Sequence, residues 1–185
     1  MIKDTLKEAE TRMKGAIQVL EDDLAGIRTG RASPVLLERL QVEYYGMPTP
    51  LVQLASISVP EPRQLLVRPF DAATLKTIER AILASDLGLT PNNDGKVIRL
   101  NLPPLTEERR RDLVKVVNNR TEEARVAVRN VRRDLLRDLR EFQQEKLISE
   151  DDLKTGEEEL QKLTDQMIKQ VDAVAERKQK EIMEV

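Results

Sequence analysis

The sequence predicts an α+β protein: an elongated three-helix bundle with a small β/α/β domain inserted after its first helix. Three observations carry this. The two ends of the chain space their apolar residues by three and four, whereas residues 31–104 hold stretches that alternate. All 9 prolines and most of the few aromatic residues fall in that middle region. The composition, 35% charged and 2% aromatic, suits long ion-paired helices better than a compact aromatic core.

Residues 1–29 set Ile2, Leu6, Ala9, Met13, Ile17, Leu20, Leu24 and Ile27 on one stripe, which makes a single long helix. Gly30 is expected to stop it. In the middle region "RLQVEYYG" alternates like a strand, and "GMPTPL" reads as a turn followed by an edge segment. "LASISVP", "QLLVRPF" and "KVIRLNL" are further strands. "DAATLKTIERAILASDLG" is an amphipathic helix capped by Asp71 and stopped at Gly88. Of the paired tyrosines, Tyr44 and Tyr45, alternation puts one in the core and one on the surface, with a stacking platform of Tyr44, Tyr45 and Gly46 as the alternative. The "DGK" at 94–96 is a turn before a strand, without the second glycine and Ser/Thr of a phosphate loop.

From residue 106 the helical period returns. Leu113, Val117, Ala124, Ala127, Val131, Leu135, Leu139 and Phe142 line one face, with Thr106 placed to cap the start. Ser149 followed by Asp152 reads as the cap of a third helix running to about residue 184, with Ile148 and Leu153 as its hydrophobic staple. "SEDD" at 149–152 is therefore a helix start, not a metal site. The three helices span roughly 40, 60 and 50 Å at ~1.5 Å per residue, and none buries its stripe alone. The bundle is thus 1–30 with 105–185, and the inserted domain 31–104. The chain crosses between them at 30–31 and 103–105. Gly30, Arg31, Pro103 and Pro104 are the hinge expected there, with a rigid elbow as the alternative.

The chain has no Cys and no His, which removes Ser–His and Cys–His nucleophiles and most zinc sites. No catalytic residue, metal ligand or cofactor is expected. No apolar run approaches the ~20 residues of a membrane span, and "MIKDTLKEAE" lacks a signal-peptide core, so a cytoplasmic monomer is the expectation.

The strongest chemical signal is "ARVAVRNVRRDLLRDLR" at 124–140: six arginines in a chain whose net charge is −2. With Val131 at the centre of the inward face, Arg125, Arg129, Arg132, Arg133, Arg137 and Arg140 fall at about 100–240°. No Asp or Glu shares that sector between Arg125 and Arg140; Asp134, Asp138 and Glu141 lie to one flank. Positive charge is segregated: residues 106–148 carry a net +3 and residues 149–185 a net −5. A solvated face paired with nearby acids is one reading. An anion-binding surface is the other, favoured by arginine over lysine, by the acid-free sector, and by Val126 and Leu136 among the guanidinium groups. With so few aromatics for stacking, folded RNA held through shape and phosphates fits better than a single strand.

Several stretches resemble the bacterial ribosome recycling factor family: "IRTGRASP" at 27–34, "VEYYG" at 42–46, "QLASISV", "ASDLGLTPNNDG", "IRLNLPPLTEERR" at 98–110 and "EEARVAVRNVRRD" at 122–134. The match runs in order along the whole chain. The resemblance implies an L-shaped molecule of bundle and small domain joined by two linkers. It implies a factor that binds the post-termination ribosome through large-subunit rRNA and, with elongation factor G and its GTP hydrolysis, splits the subunits. It places rRNA contacts at Arg129, Arg132 and Arg133. Arg28 and Arg31, around Gly30, would reach RNA or brace the corner, and Arg125 shares the basic stripe. An RNA-modifying enzyme lacks the side chains it needs here. A plain coiled-coil scaffold explains neither the inserted domain nor the arginine face.

Overall fold

The computed structural model describes residues 1–184. In chain order the elements are α1 (Ile2–Ala25), α2 (Val35–Glu38), β1 (Gln41–Tyr44), β2 (Met47–Pro50), β3 (Ala55–Glu61), β4 (Gln64–Pro69), α3 (Leu75–Ala84), β5 (Pro91–Asn93), β6 (Ile98–Asn101), α4 (Glu107–Gln144) and α5 (Glu150–Glu184). They form an α+β protein of two compact units. The first is Met1–Arg28 with Glu107–Glu184, and the second is Thr29–Thr106.

In the first unit α1, α4 and α5 pack their apolar stripes together. The core runs through Ala9, Met13, Leu20 and Leu24 of α1, Val117, Val128, Leu135 and Leu139 of α4, and Leu160, Met167, Val171 and Ile182 of α5. Three buried positions are threonines, Thr5, Thr121 and Thr164, which a search for apolar periodicity passes over. Each satisfies its hydroxyl inside its own helix by donating to the carbonyl four residues back, at Met1 (3.1 Å), Val117 (2.6 Å) and Leu160 (2.8 Å). Gly156 is buried too. A methyl group there would lie 3.3 Å from Leu139 and 3.6 Å from Ile2, so its bare Cα lets α5 approach both neighbours closely.

The α4–α5 turn is written in side chains and backbone together. Ser149 N–H donates to Asp152 Oδ2 (3.1 Å) and Asp152 N–H donates to Ser149 Oγ (3.0 Å), the reciprocal box expected from the sequence. The backbone hydrogen bond, then the hydroxyl, holds the Asp152 carboxyl below its ordinary pKa. Its contribution to stability is therefore present above the unfolded carboxylate pKa and lost as pH falls through the lower folded value. At the other side of the turn Leu147 N–H reaches Phe142 O (2.8 Å) and Lys146 N–H reaches Gln143 O (3.0 Å), a Schellman closure. This puts Lys146 at φ +60°, a region costly for an L side chain. Lys146→Gly is expected to raise the melting temperature by about 2–4 °C, the shift that roughly 1 kcal/mol produces. A thermal melt checks it.

In the second unit four antiparallel strands lie in the order β3-β4-β6-β5, and β1-β2 form a separate hairpin. Alternation sets the inner face: Leu65 and Val67 of β4 and Ile98 and Leu100 of β6 point inward. With Val42 of β1 and with Leu75, Ile78 and Ile82 of α3 they form one core cluster. The hairpin turns at Tyr45 and Gly46, both at positive φ (49° and 77°), the geometry that a two-residue connection needs. Pro48 and Pro50 sit on β2, where a missing N–H is tolerated. Tyr45 is 87% exposed and Tyr44 half-buried, their rings edge-to-face at 4.5 Å.

Several boundaries differ from the sequence reading. The first helix ends at Ala25, with Gly26 still in the right-handed region, so Gly30 does not stop it. Gly30 instead adopts φ +78° inside the second unit. The helix after Asp71 opens with a single tight turn, Ala72–Thr74, where Asp71 Oδ1 accepts from Ala73 N–H (3.0 Å). It closes at Ala84, four residues before Gly88. Strand β5 and the short α2 were not legible: three and four residues are too few to show a period.

Candidate nucleic-acid interface

Helix α4 carries the arginine stretch because its buried residues recur every three or four positions, from Leu113 to Leu139. That spacing turns the intervening arginines outward. Their surroundings are not uniform. Arg125 is partly enclosed, with its side chain 32% exposed. Its Nε and Nη2 donate to Asp172 Oδ1 on α5 at 3.0 and 2.6 Å, and its Nη1 donates to Glu122 Oε2 at 3.0 Å. The other oxygen of Glu122 accepts from Arg129 Nη1 at 3.3 Å. Arg132 is half-buried and its Nη1 donates to Gln161 Oε1 of α5 at 2.8 Å. Arg140 Nε donates to Glu157 Oε1 of α5 at 3.1 Å.

Arg137 is 75% exposed and lies 4.0 and 3.9 Å from Asp134 and Asp138, too far for a hydrogen bond. Arg133 is exposed and makes no ion pair or hydrogen bond among the described residues. Arg133, Arg137 and Arg140 line a shallow groove whose apolar member is Leu136. Within the same stretch α4 is tied to α1, where Arg12 Nη2 donates to Asp134 Oδ2 at 2.9 Å.

The acid-free sector of the sequence reading is thus corrected. Glu122 lies one turn before the stretch, and Asp172 and Glu157 reach in from α5. A wheel drawn for one helix cannot show what an antiparallel neighbour contributes. The only signal available was the net −5 of residues 149–185. Those acids act on the ionisation of the network. Donation to Asp172, then to Glu122, raises the Arg125 pKa further, and the hydrogen bond from Arg125 holds the Glu122 carboxyl below its ordinary value.

The remaining sequence candidates lie elsewhere. Arg28 closes the first unit and Arg31 belongs to the second, and both are exposed. Pro103 and Pro104 are also exposed, and a methyl group on Gly30 would stand 3.3 Å from the Pro103 carbonyl oxygen. Within the second unit, residues 30 and 103 therefore lie side by side. Among the described residues no group of three or more His, Cys, Asp and Glu could hold a metal ion. Among the described residues no helix is long and apolar enough to cross a membrane.

The family model for ribosome recycling factor matches residues 20–183. The chain belongs to the ribosome recycling factor family. It is 57% identical to the ribosome-recycling factor of Halalkalibacterium halodurans and 56% identical to that of Syntrophomonas wolfei, in each case over 185 residues and 100% of both chains. The solution structure of a ribosome recycling factor aligns with 100% of this chain and 98% of its own, at a TM-score of 0.75 and 47% identity. A second structure models the T. thermophilus ribosome recycling factor, with E. coli elongation factor G, bound to the E. coli post-termination complex. It covers 98% of each chain at a TM-score of 0.64 and 49% identity. The ribosome recycling factor match takes in all of α4 and thus the whole arginine face.

Proposed function

We propose that this protein is a non-catalytic cytoplasmic factor, working as a monomer, that recycles the ribosome after translation termination. It binds the post-termination ribosome through large-subunit rRNA and, with elongation factor G, splits the subunits so that mRNA and deacylated tRNA leave. The observation that carries the reading is the arginine face of α4 in a chain that aligns with ribosome-recycling factors over 185 residues. The structure named for the T. thermophilus factor on a post-termination complex supports the partners.

The division of labour follows from the geometry of α4. Arg129 and Arg133 are exposed and turn outward, placed to grip phosphate oxygens with the planar guanidinium fork. Arg125 and Arg132 add charge while holding α5. Arg28 and Arg31 supply further rRNA contacts beside the crossings, and Gly30, Arg31, Pro103 and Pro104 form the hinge through which the motor protein acts on the small domain. The chemical energy comes from GTP hydrolysed by the elongation factor. With vacant ribosomes the protein should co-sediment, and with elongation factor G and GTP it should convert whole ribosomes to subunits. Failure to co-sediment would overturn the reading. Alone, the protein should turn over no GTP; steady hydrolysis by a rigorously purified sample would refute its non-catalytic part.

A further inference from the structure

Arg125, Arg129 and Arg140 of α4 are held by carboxylates of the same protein. Glu122 spans two of them: one oxygen accepts from Arg125 Nη1 (3.0 Å) and the other from Arg129 Nη1 (3.3 Å). Asp172 fixes Arg125 from the neighbouring helix with two donors on one oxygen. The four residues make one chain, Asp172–Arg125–Glu122–Arg129, lying along the outer face of α4. Every member is partly exposed, from 32% at Arg125 to 55% at Glu122, so any anion can reach them.

We propose that Glu122 is a specificity-determining residue: an internal counter-ion that blocks loose binding of arbitrary polyanions while holding Arg125 and Arg129 in the geometry that the cognate rRNA surface accepts. The proposal rests on the rRNA reading of this face. Two physical effects combine. Any phosphate approaching Arg129 meets the negative charge of Glu122, which weakens non-cognate and cognate contacts alike. At the cognate site this repulsion is offset, because a guanidinium already locked in position loses less freedom on binding. A random duplex, which does not match that position, gains nothing from the locking. The hydrogen bond from Arg125 lowers the Glu122 pKa and so favours its charged, counter-ion form. Gln161 on Arg132 shows the contrast: it orients the guanidinium without neutralising it.

The test compares Glu122→Gln with the parent protein on two ligands, vacant ribosomes and an RNA duplex of random sequence, across a salt series. Glu122→Gln is expected to tighten the random duplex about threefold at low salt, the scale of one exposed charge pair. Ribosome affinity should stay level or fall, so the ratio of the two drops by at least about threefold. The gain on the duplex should shrink when Arg129→Ala is already present, because Arg129 is one of the two arginines released. Asp172→Asn is the second variant, freeing Arg125, and should move the ratio the same way. Thermal melts of each variant confirm that the fold is kept. Equal tightening on both ligands, or no change on either, would overturn the proposal. If Arg129→Ala alone leaves ribosome binding intact, the rRNA reading itself fails, which is a distinct result.

Discussion

Arg129→Ala combined with Arg133→Ala is expected to weaken ribosome binding by about 100-fold, roughly tenfold for each charge-assisted hydrogen bond removed. These two positions are chosen because the structure separates them from their neighbours. Arg133 has no partner among the described residues, and Arg129 has one long hydrogen bond to Glu122. Removing them leaves the α4–α5 bridges through Arg125, Arg132 and Arg140 in place. Stability should then hardly move, since exposed substitutions usually shift it by under about 0.5 kcal/mol. Arg132→Ala is a poorer probe than its central position in the sequence suggests: it also breaks the bond to Gln161. Each phosphate interaction removed should make the salt dependence of binding shallower by about one unit of slope. Arg133→Lys should recover only part of the loss, because an ammonium cannot span two oxygens. Arg111→Ala serves as the control, removing an exposed arginine that pairs with Glu107 in the first turn of α4. The measurement is ribosome affinity at two salt concentrations beside a melt of each variant. A double variant that binds like the parent would return this stretch to an ordinary solvated face.

How much of this was legible depends on the range of the interaction concerned. The long helices could be read because a 3.6-residue period repeated over 24 to 38 residues leaves little ambiguity. The box at Ser149 and Asp152 could be read because both partners lie within one turn of sequence. The end of α1 could not. Gly30 looked like a stop, but the chain leaves the helix at Gly26 and keeps Gly30 for a positive φ four residues later. The buried threonines were missed because their polarity is cancelled by a hydrogen bond to their own helix, which composition does not display. At the arginine face the residues were found and their partners were not. Asp172 lies 47 positions from Arg125, and only packing decides that the two meet. The outward arginines were read from the helical spacing; that Arg125 and Arg132 brace α5 came from the neighbouring helix.

Gly30→Val is expected to lower the rate of subunit splitting by about tenfold or more, the scale of a barrier raised by some 1.4 kcal/mol, while leaving ribosome affinity within about twofold. The geometry argues for a large effect at this one glycine. Its φ is +78°, where an L residue costs roughly 1–2 kcal/mol and a β-branched one is a stronger outlier. Space is short as well: the first carbon of any side chain would sit 3.3 Å from the Pro103 carbonyl oxygen and 3.5 Å from Leu105 Cγ. The intrusion falls inside the second unit, where residue 30 lies beside residues 103–105. Pro103 and Pro104 have φ fixed by their rings, so the returning crossing adapts poorly. Valine therefore forces either a new backbone path at residue 30 or a displacement of residues 103–105, and each would change the proposed hinge while leaving the sequence of α4 unaltered. Gly30→Ala meets the same carbonyl and the same φ but lacks the branch, and should fall between the two. Binding and splitting must be measured on one preparation, with a melt to show that the small domain remains folded. Equal loss of both activities would mean that residue 30 contributes to docking rather than to the motion that follows it. Unimpaired splitting by a folded Gly30→Val protein would remove the hinge from the mechanism altogether.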